Sequence, residues 1–325
     1  MLLDVKELKK YFPVAKTFLE RLLTREERYI KAVDGVSFHM EDGEVFSLVG
    51  ESGSGKTTTG KLILRLVEPT SGKVLFQGRD VTSLSKEELR PLRRHMQIIY
   101  QDPYASLNPR MRIGEAIMDP LLIHGIAEGR EAKEMVLDML ERVGLTPAET
   151  FFDTYPAYLS GGQRQRVAIA RAMITRPKLV VADEPVSMID VSLRASILDL
   201  MMDLRKEFGV AYLFITHDLA VAKYISDKIA IMYLGKIVEL GRARDLFKNP
   251  LHPYTKALLS AIPVPVPGRK KERIRLKGEI PSAIDVPPGC RFHTRCPLRF
   301  DPCDKEEPLL VEVEPGHFIA CHLHS

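Results

Sequence analysis

No apolar run in this 325-residue chain approaches the roughly 20 residues needed to cross a bilayer. A membrane-spanning segment is not expected, and any association with a membrane would be peripheral. Charge of one sign is also missing. Lysine and arginine number 47 against 43 aspartates and glutamates, leaving a mild net charge of +4 that is scattered along the chain. That balance does not build the basic patch a nucleic acid requires, so no nucleic-acid partner is expected. The first residues, Met1-Leu2-Leu3-Asp4-Val5-Lys6-Glu7, lack the basic-then-apolar layout of a secretory signal. Their composition points to a cytoplasmic chain. Cysteine is absent from residues 1–289, and the four present, Cys290, Cys296, Cys303 and Cys321, crowd into one tail. A reducing compartment disfavours disulfides, so four clustered thiols suggest metal ligation.

What is present is an ordinary soluble composition, with length enough for one large domain and a smaller one. From Val5 to about Gly241, short β-branched runs alternate with amphipathic stretches, the pattern of an α/β sheet. The clearest strands are Val45–Val49, Gln97–Tyr100, Leu179–Ala182, Ala211–Ile215 and Ile229–Tyr233. Strand signals vanish between Asp102 and Leu159, and Arg130–Val143 shows helical periodicity. Residues 102–176 therefore read as a mainly helical subdomain inserted into a core spanning residues 1–241. Met232–Glu239 reads as a hairpin with a glycine-containing turn. After Ala261, Pro263–Gly268 and Arg269-Lys270-Lys271 read as a stiff linker within an extension spanning residues 242–325.

The densest signal is Gly50-Glu51-Ser52-Gly53-Ser54-Gly55-Lys56-Thr57-Thr58, preceded by the apolar run Glu44–Val49 and followed by a helical pattern to Leu66. Strand, glycine loop and helix in that order make a phosphate-binding loop. The glycines let successive backbone N–H groups point inward at the positive end of the helix dipole. Lys56 can reach the β- and γ-phosphates, and the Thr57 hydroxyl is placed to ligate Mg²⁺. The expectation is a nucleoside-triphosphate site.

Further along, Leu179-Val180-Val181-Ala182 ends in Asp183-Glu184. A strand-terminal Asp is the usual partner of such a loop, since its carboxylate holds Mg²⁺, and Glu184 can accept a proton from an attacking water. Gln101 and His217 also follow apolar strands. A parallel sheet would deliver both to the carboxyl edge, where ligands bind, and the Gln101 amide could there reach Mg²⁺ or the water. Leu159-Ser160-Gly161-Gly162-Gln163 opens a helix with Ser160 as N-cap and exposed N–H groups suited to an anion.

This conjunction resembles the ATP-binding subunit of ABC transporters over residues 5–241. The resemblance rests on the loop Gly50–Thr58, Gln101, the signature Leu159–Gln163, Asp183-Glu184, Ser187-Met188-Ile189-Asp190 and His217, which occur in the family order. It implies a P-loop NTPase core of the ABC type with ATP and Mg²⁺ as ligands. Two such domains would dimerise head to tail, so that one Lys56 loop faces the other chain's Ser160–Gln163. Glu184 would be the general base, His217 would steady the γ-phosphate, and Asp190 would act across the interface. Tyr11 matches the position that stacks on adenine. Ser187–Asp190 departs from the commoner Ser-Ala-Leu-Asp but keeps the acid. A non-transport role in translation or DNA repair fits less well, since this chain has one ATPase domain and a short helical insert.

Asn249-Pro250-Leu251-His252-Pro253-Tyr254-Thr255, Gly289–Pro297 and His317–His322 look like the oligopeptide/dipeptide (and nickel) branch of that family. In some members of that branch four tail cysteines are reported to hold a [4Fe–4S] cluster. The donor set also suits zinc, although the intervals of five, six and seventeen residues are wider than the usual close pairs. Free thiols, or a tail that senses metal or redox state, stay open. The resemblance further implies a place on the cytoplasmic face of the cell membrane and two separate permease subunits. It also implies an extracytoplasmic solute-binding protein and pairing with a related second ATPase or with itself. Peptide is the expected cargo, with oligosaccharide, glycoside or nickel as the alternatives.

Overall fold

The computed structural model of the protein describes residues 1–14, 28–262, 274–276 and 278–324. The expected linker Pro263–Lys271 lies outside the described residues. The chain forms two compact units that cut across its order. The first holds residues 1–2, 41–45 and 83–215, and the second holds residues 3–40, 46–82 and 216–325. Strands β1 (Leu3–Pro13), β2 (Tyr29–Met40), β3 (Val45–Val49), β4 (Ser71–Phe76), β5 (Arg79–Asp80) and β6 (Met96–Ile99) come from the first third of the sequence. They are followed by β7 (Leu179–Asp183), β8 (Ala211–Thr216), β9 (Lys228–Tyr233), β10 (Lys236–Arg242), β11 (Val311–Glu314) and β12 (His317–Ile319).

In the first unit β6, β7 and β8 run parallel, with Leu179 opposite Met96 on one side and Ala211 on the other. Every residue of β7 and β8 is buried. Strands covered on both faces read as continuous apolar runs, which is why Leu-Val-Val-Ala and Ala-Tyr-Leu-Phe-Ile stood out. Between β6 and β7 the described elements are helices, the longest being Gly129–Arg142 and Gly161–Met173. Gly129–Arg142 buries Ala132, Val136, Met139 and Leu140, one stripe at helical spacing. The helix Val191–Phe208 stops at Gly209, whose φ of +64° is the left-handed C-cap that glycine adopts without strain.

The second unit contains two sheets. One is antiparallel in the order β2-β1-β4-β5. Its lysine-rich strand β1 shifts register between Val5 and Leu8, where Glu7 has a φ of +46°. In the other, β3 pairs parallel with β9, and β9, β10, β12 and β11 follow antiparallel. The β9–β10 hairpin closes on a two-residue turn, Leu234-Gly235, with both residues at positive φ as a mirror-type turn demands.

Two short strands, β11 and β12, occur in the extension, for which the sequence carries no strand signal and which reads as small and irregular. The reason is long-range: β12 satisfies the free edge of β10, and no local pattern encodes that pairing. The extension also shares a core with strands β3 and β9. Phe292 packs with Val49, Ile229, Ile231, Tyr233 and Tyr254, and Cys290 and Cys296 lean against the same cluster. Phe292 and Tyr254 stand edge-on or tilted to Tyr233 and to each other, with ring centroids 4.9–5.3 Å apart.

A buried carboxylate ties this arrangement together. Glu239 on β10 is fully enclosed and accepts from Leu251 N at 2.8 Å, His252 N at 3.0 Å and His317 Nε2 at 2.8 Å. Burial alone would raise its pKa. The donors of His317, Thr255, Leu251 and His252 outweigh burial and hold the carboxyl below its usual range. Glu239→Ala orphans several buried donors at once, each costing about 1–3 kcal/mol. We expect a loss of about 3 kcal/mol or more, read as a fall in the calorimetric unfolding midpoint.

Candidate functional site

In the second unit, β3 feeds the loop Gly50–Thr58 and then the helix Lys56–Ile63. The loop is pressed onto neighbouring backbone. A Cβ on Gly50 would stand 2.2 Å from Met232 O, and one on Gly55 would stand 2.2 Å from Ala32 O. Gly55 is also the helix N-cap, at a φ of +103°. Glycine is thus required twice, once for space and once for conformation as well. The Lys56 ammonium curls back over the loop, donating to Gly50 O at 2.8 Å, Glu51 O at 2.9 Å and Ser54 Oγ at 3.4 Å. Ser52 and Gly53 are exposed at the tip, while Thr57 and Thr58 are partly buried in the first helical turn.

Elements remote in sequence brace this loop. Glu51 N donates to Tyr254 Oη at 3.1 Å, and Gly235 N donates to Ser54 O at 2.9 Å. The Glu51 carboxylate is held by the Arg295 fork, Nη1 to Oε2 at 2.7 Å and Nη2 to Oε1 at 3.3 Å. Tyr11 on β1 donates its hydroxyl to Asp34 Oδ1 at 2.5 Å, and Arg291 donates to Asp34 Oδ2 and Leu234 O. Burial and the bond to Asp34 push the Tyr11 phenol up to about 12. His217 is exposed just past β8, before Asp218 caps the helix Leu219–Ile225 through Ala220 N at 2.8 Å.

Sequence reasoning missed Arg291, Arg295 and Asp34. Arg291 and Arg295 lay inside the segment quoted for its cysteines, and nothing local tells which acid an arginine will meet 244 residues away.

In the first unit, Asp183 ends β7 almost wholly buried and Glu184 follows at a φ of +46°. Strain of this kind in a non-glycine residue recurs at functional positions. Glu184 N donates to Ile215 O at 2.9 Å, and Ser187 Oγ donates to Glu184 O at 3.0 Å. The backbone of Glu184 is therefore fixed on both sides. Gln101 Nε2 donates to Glu184 Oε2 at 3.1 Å, so these two expected site residues do meet. Ser160 caps the helix Gly161–Met173 in a reciprocal box. Its Oγ accepts from Gln163 N at 3.3 Å, while its own N donates to Gln163 Oε1 at 2.9 Å. The Gln163 amide oxygen is thus engaged in the cap. Gly161 has open space where a Cβ would be, and a Cβ on Gly162 would stand 3.2 Å from Leu193 Cδ1. Asp190 starts the helix Val191–Phe208 without a side-chain cap bond.

All four cysteines are free thiols and line one cavity together with His293 and His322. Burial, reinforced by the neighbouring thiols, raises Cys290 to about 11 and also raises Cys296 and Cys321. Among the described residues, no group of three or more His, Cys, Asp or Glu side chains stands close enough to hold one metal ion.

A buried strand, a glycine loop closed by its own lysine and a helix that starts at the loop's end define a nucleoside-triphosphatase of the P-loop class. Comparison with known proteins narrows this. Residues 33–187 match the ABC transporter family model, and residues 238–303 match that of the oligopeptide/dipeptide transporter C-terminal region. The oligopeptide transport ATP-binding protein AppF of Bacillus subtilis is 48% identical, covering 100% of this chain and 98% of the relative. A putative peptide import ATP-binding protein of Brucella ovis is 52% identical over 90% of this chain and 92% of its own length. Among solved structures, the ATP-binding cassette MJ0796, in a dimeric post-hydrolysis state with ADP and Pi, matches with a TM-score of 0.64 at 30% identity. That match covers 75% of this chain and 99% of the cassette. The chain belongs to the ATP-binding subunits of ABC transporters, in the oligopeptide/dipeptide importer family, and is an ABC-type ATPase. No helix among the described residues is long and apolar enough to cross a membrane.

The close approaches at Gly50 and Gly55 leave no room for a side chain at either position. Gly50→Ala and Gly55→Ala should each abolish Mg-ATP binding in equilibrium titration, whereas Gly53→Ala, which has open space but strains a φ of +80°, should weaken binding less than either.

Proposed function

We propose that the chain powers uptake of oligopeptides or dipeptides through separate permease subunits at the cytoplasmic face of the membrane. The observation that carries this reading is the match of residues 238–303 to the oligopeptide/dipeptide transporter C-terminal region, a segment outside the general ABC match. The relatives named for peptide import agree with it.

In this reading the loop Gly50–Thr58 and Lys56 bind the triphosphate, and Tyr11 stacks on the adenine. Thr57, Gln101 and Asp183 offer the hard oxygen donors that Mg²⁺ prefers. Glu184 takes the proton of the attacking water, with Gln101 holding its carboxylate in place at 3.1 Å, and His217 steadies the γ-phosphate. A second ATPase, a sibling or another copy, presents its own Ser160–Gln163 turn and Asp190 to this triphosphate. Closing on ATP and reopening after hydrolysis moves the helical insert, with Tyr100–Met111 as its hinge, against the permease.

The cysteine site belongs to the same proposal. Four thiols on one cavity, three of them raised by burial, make a Cys₄ donor set, whose deprotonation a bound cation would favour. Cys290, Cys296, Cys303 and Cys321 would hold a [4Fe–4S] cluster, which would take each thiolate on a separate iron; zinc, the alternative, would need them drawn together onto one ion, closer than they stand here. The group would cross-link the extension, and no hydrolytic step passes through it.

Glu184→Gln should lower ATP turnover by about 10² or more while Mg-ATP still binds and dimers accumulate. Cells carrying it should lose uptake of a labelled oligopeptide, and uptake at the parent rate would overturn the transport reading. Anaerobically purified protein should contain four irons and acid-labile sulfide per chain. Stoichiometric zinc without iron would select the alternative.

A further inference from the structure

The turn Cys290–Cys296 carries two arginines directed at the nucleotide site of its own unit. It is a rigid platform: His293 N donates to Cys290 O at 2.9 Å, Arg295 N donates to Phe292 O at 3.0 Å, and Cys290 N donates to Cys303 O at 2.8 Å. Phe292, between the arginines, is 1% exposed in the shared core, so the turn cannot shift without disturbing Tyr233 and Tyr254. Arg291 and Arg295 are only 6% and 9% exposed. Each spends its guanidinium on an acid that belongs to the nucleotide-binding part of the chain.

Arg295 forks onto Glu51, which sits between Gly50 and the exposed tip of the phosphate loop. A carboxylate there repels a triphosphate unless a cation neutralises it. The paired geometry of a guanidinium both neutralises and fixes it, which a lysine cannot do. Arg291 does the equivalent at Asp34, whose N donates to Gly235 O, the residue that in turn donates to Ser54 O of the loop. It holds Asp34, and Asp34 accepts the hydroxyl of Tyr11.

We propose that the cysteine turn is a positioning element for nucleotide, with Arg295 neutralising and orienting Glu51 at the phosphate loop and Arg291 orienting Tyr11 through Asp34. Neither arginine is a catalytic residue, and both act through another side chain. The inference rests on the reading of Gly50–Thr58 as the triphosphate loop. It does not depend on what the four thiols bind.

The test is a double-mutant cycle of Arg295→Ala and Glu51→Gln in the full chain, reading the Mg-ATP dissociation constant, KM and kcat. Arg295→Ala should weaken Mg-ATP about tenfold and raise KM alike, while kcat at saturating ATP stays within about twofold, the pattern of lost uniform binding. Glu51→Gln supplies the second single variant of the cycle, and its affinity is the reference for the double variant. The double variant should recover most of the affinity, because the uncompensated carboxylate is gone. Arg295→Lys, which keeps the charge but not the fork, should fall between. It also serves as the informative variant should Arg295→Ala fail to fold. Arg291→Ala should weaken adenine nucleotides and leave inorganic triphosphate binding unchanged. An Arg295→Ala protein with parental affinity would overturn the proposal, as would a double variant as weak as Arg295→Ala alone. A parent that binds no Mg-ATP would instead sink the reading of the loop itself.

Discussion

The second unit is organised around backbone pressed against backbone. The phosphate loop can take its shape only because Gly50 and Gly55 let the chain approach Met232 O and Ala32 O more closely than any Cβ allows. This contact sets where the helix Lys56–Ile63 begins and where its unsatisfied N–H groups point. It also fixes the neighbouring hairpin. Gly235 donates to Ser54 O and itself lies against Lys31 O and Ala32 O, so hairpin turn, loop and β2 hold one another in register. Lys56 then closes the loop over three of its own oxygens, a cation that a phosphate can draw away only by replacing those bonds.

How much of this was legible in the sequence depends on how local each cause is. Strands β3, β7 and β8 were readable because burial on both faces writes a continuous apolar run, and their observed bounds differ from expectation by a residue at most. The β9–β10 hairpin was readable because Gly235 marks its turn, and the helix after Ser160 because its cap box is written within four residues. β1 was harder. Lys6, Glu7, Lys9 and Lys10 and a register shift interrupt its alternation, so eleven residues of strand carried only a weak signal.

The site divided in the same way. The loop, the Asp183-Glu184 strand end and the Ser160 cap were visible because their chemistry is contiguous. The meeting of Gln101 with Glu184 at 3.1 Å follows from strand adjacency, which a parallel reading of β6 and β7 anticipates. Asp34, Arg291, Arg295 and Glu239 were invisible because each draws its meaning from a partner brought up by tertiary folding. Glu239 reads as an ordinary solvent-facing residue of a hairpin strand until β12 and the Leu251–His252 turn enclose it.

The Arg295–Glu51 pair joins residues 244 positions apart. A ribosome therefore releases the glycine loop long before the guanidinium that steadies it. During synthesis the nascent loop waits without its Arg295 partner, and on the positioning role proposed for that arginine its full grip on nucleotide follows the docking of the cysteine turn. The grip on fuel is in this sense completed by a segment made well after the loop it steadies.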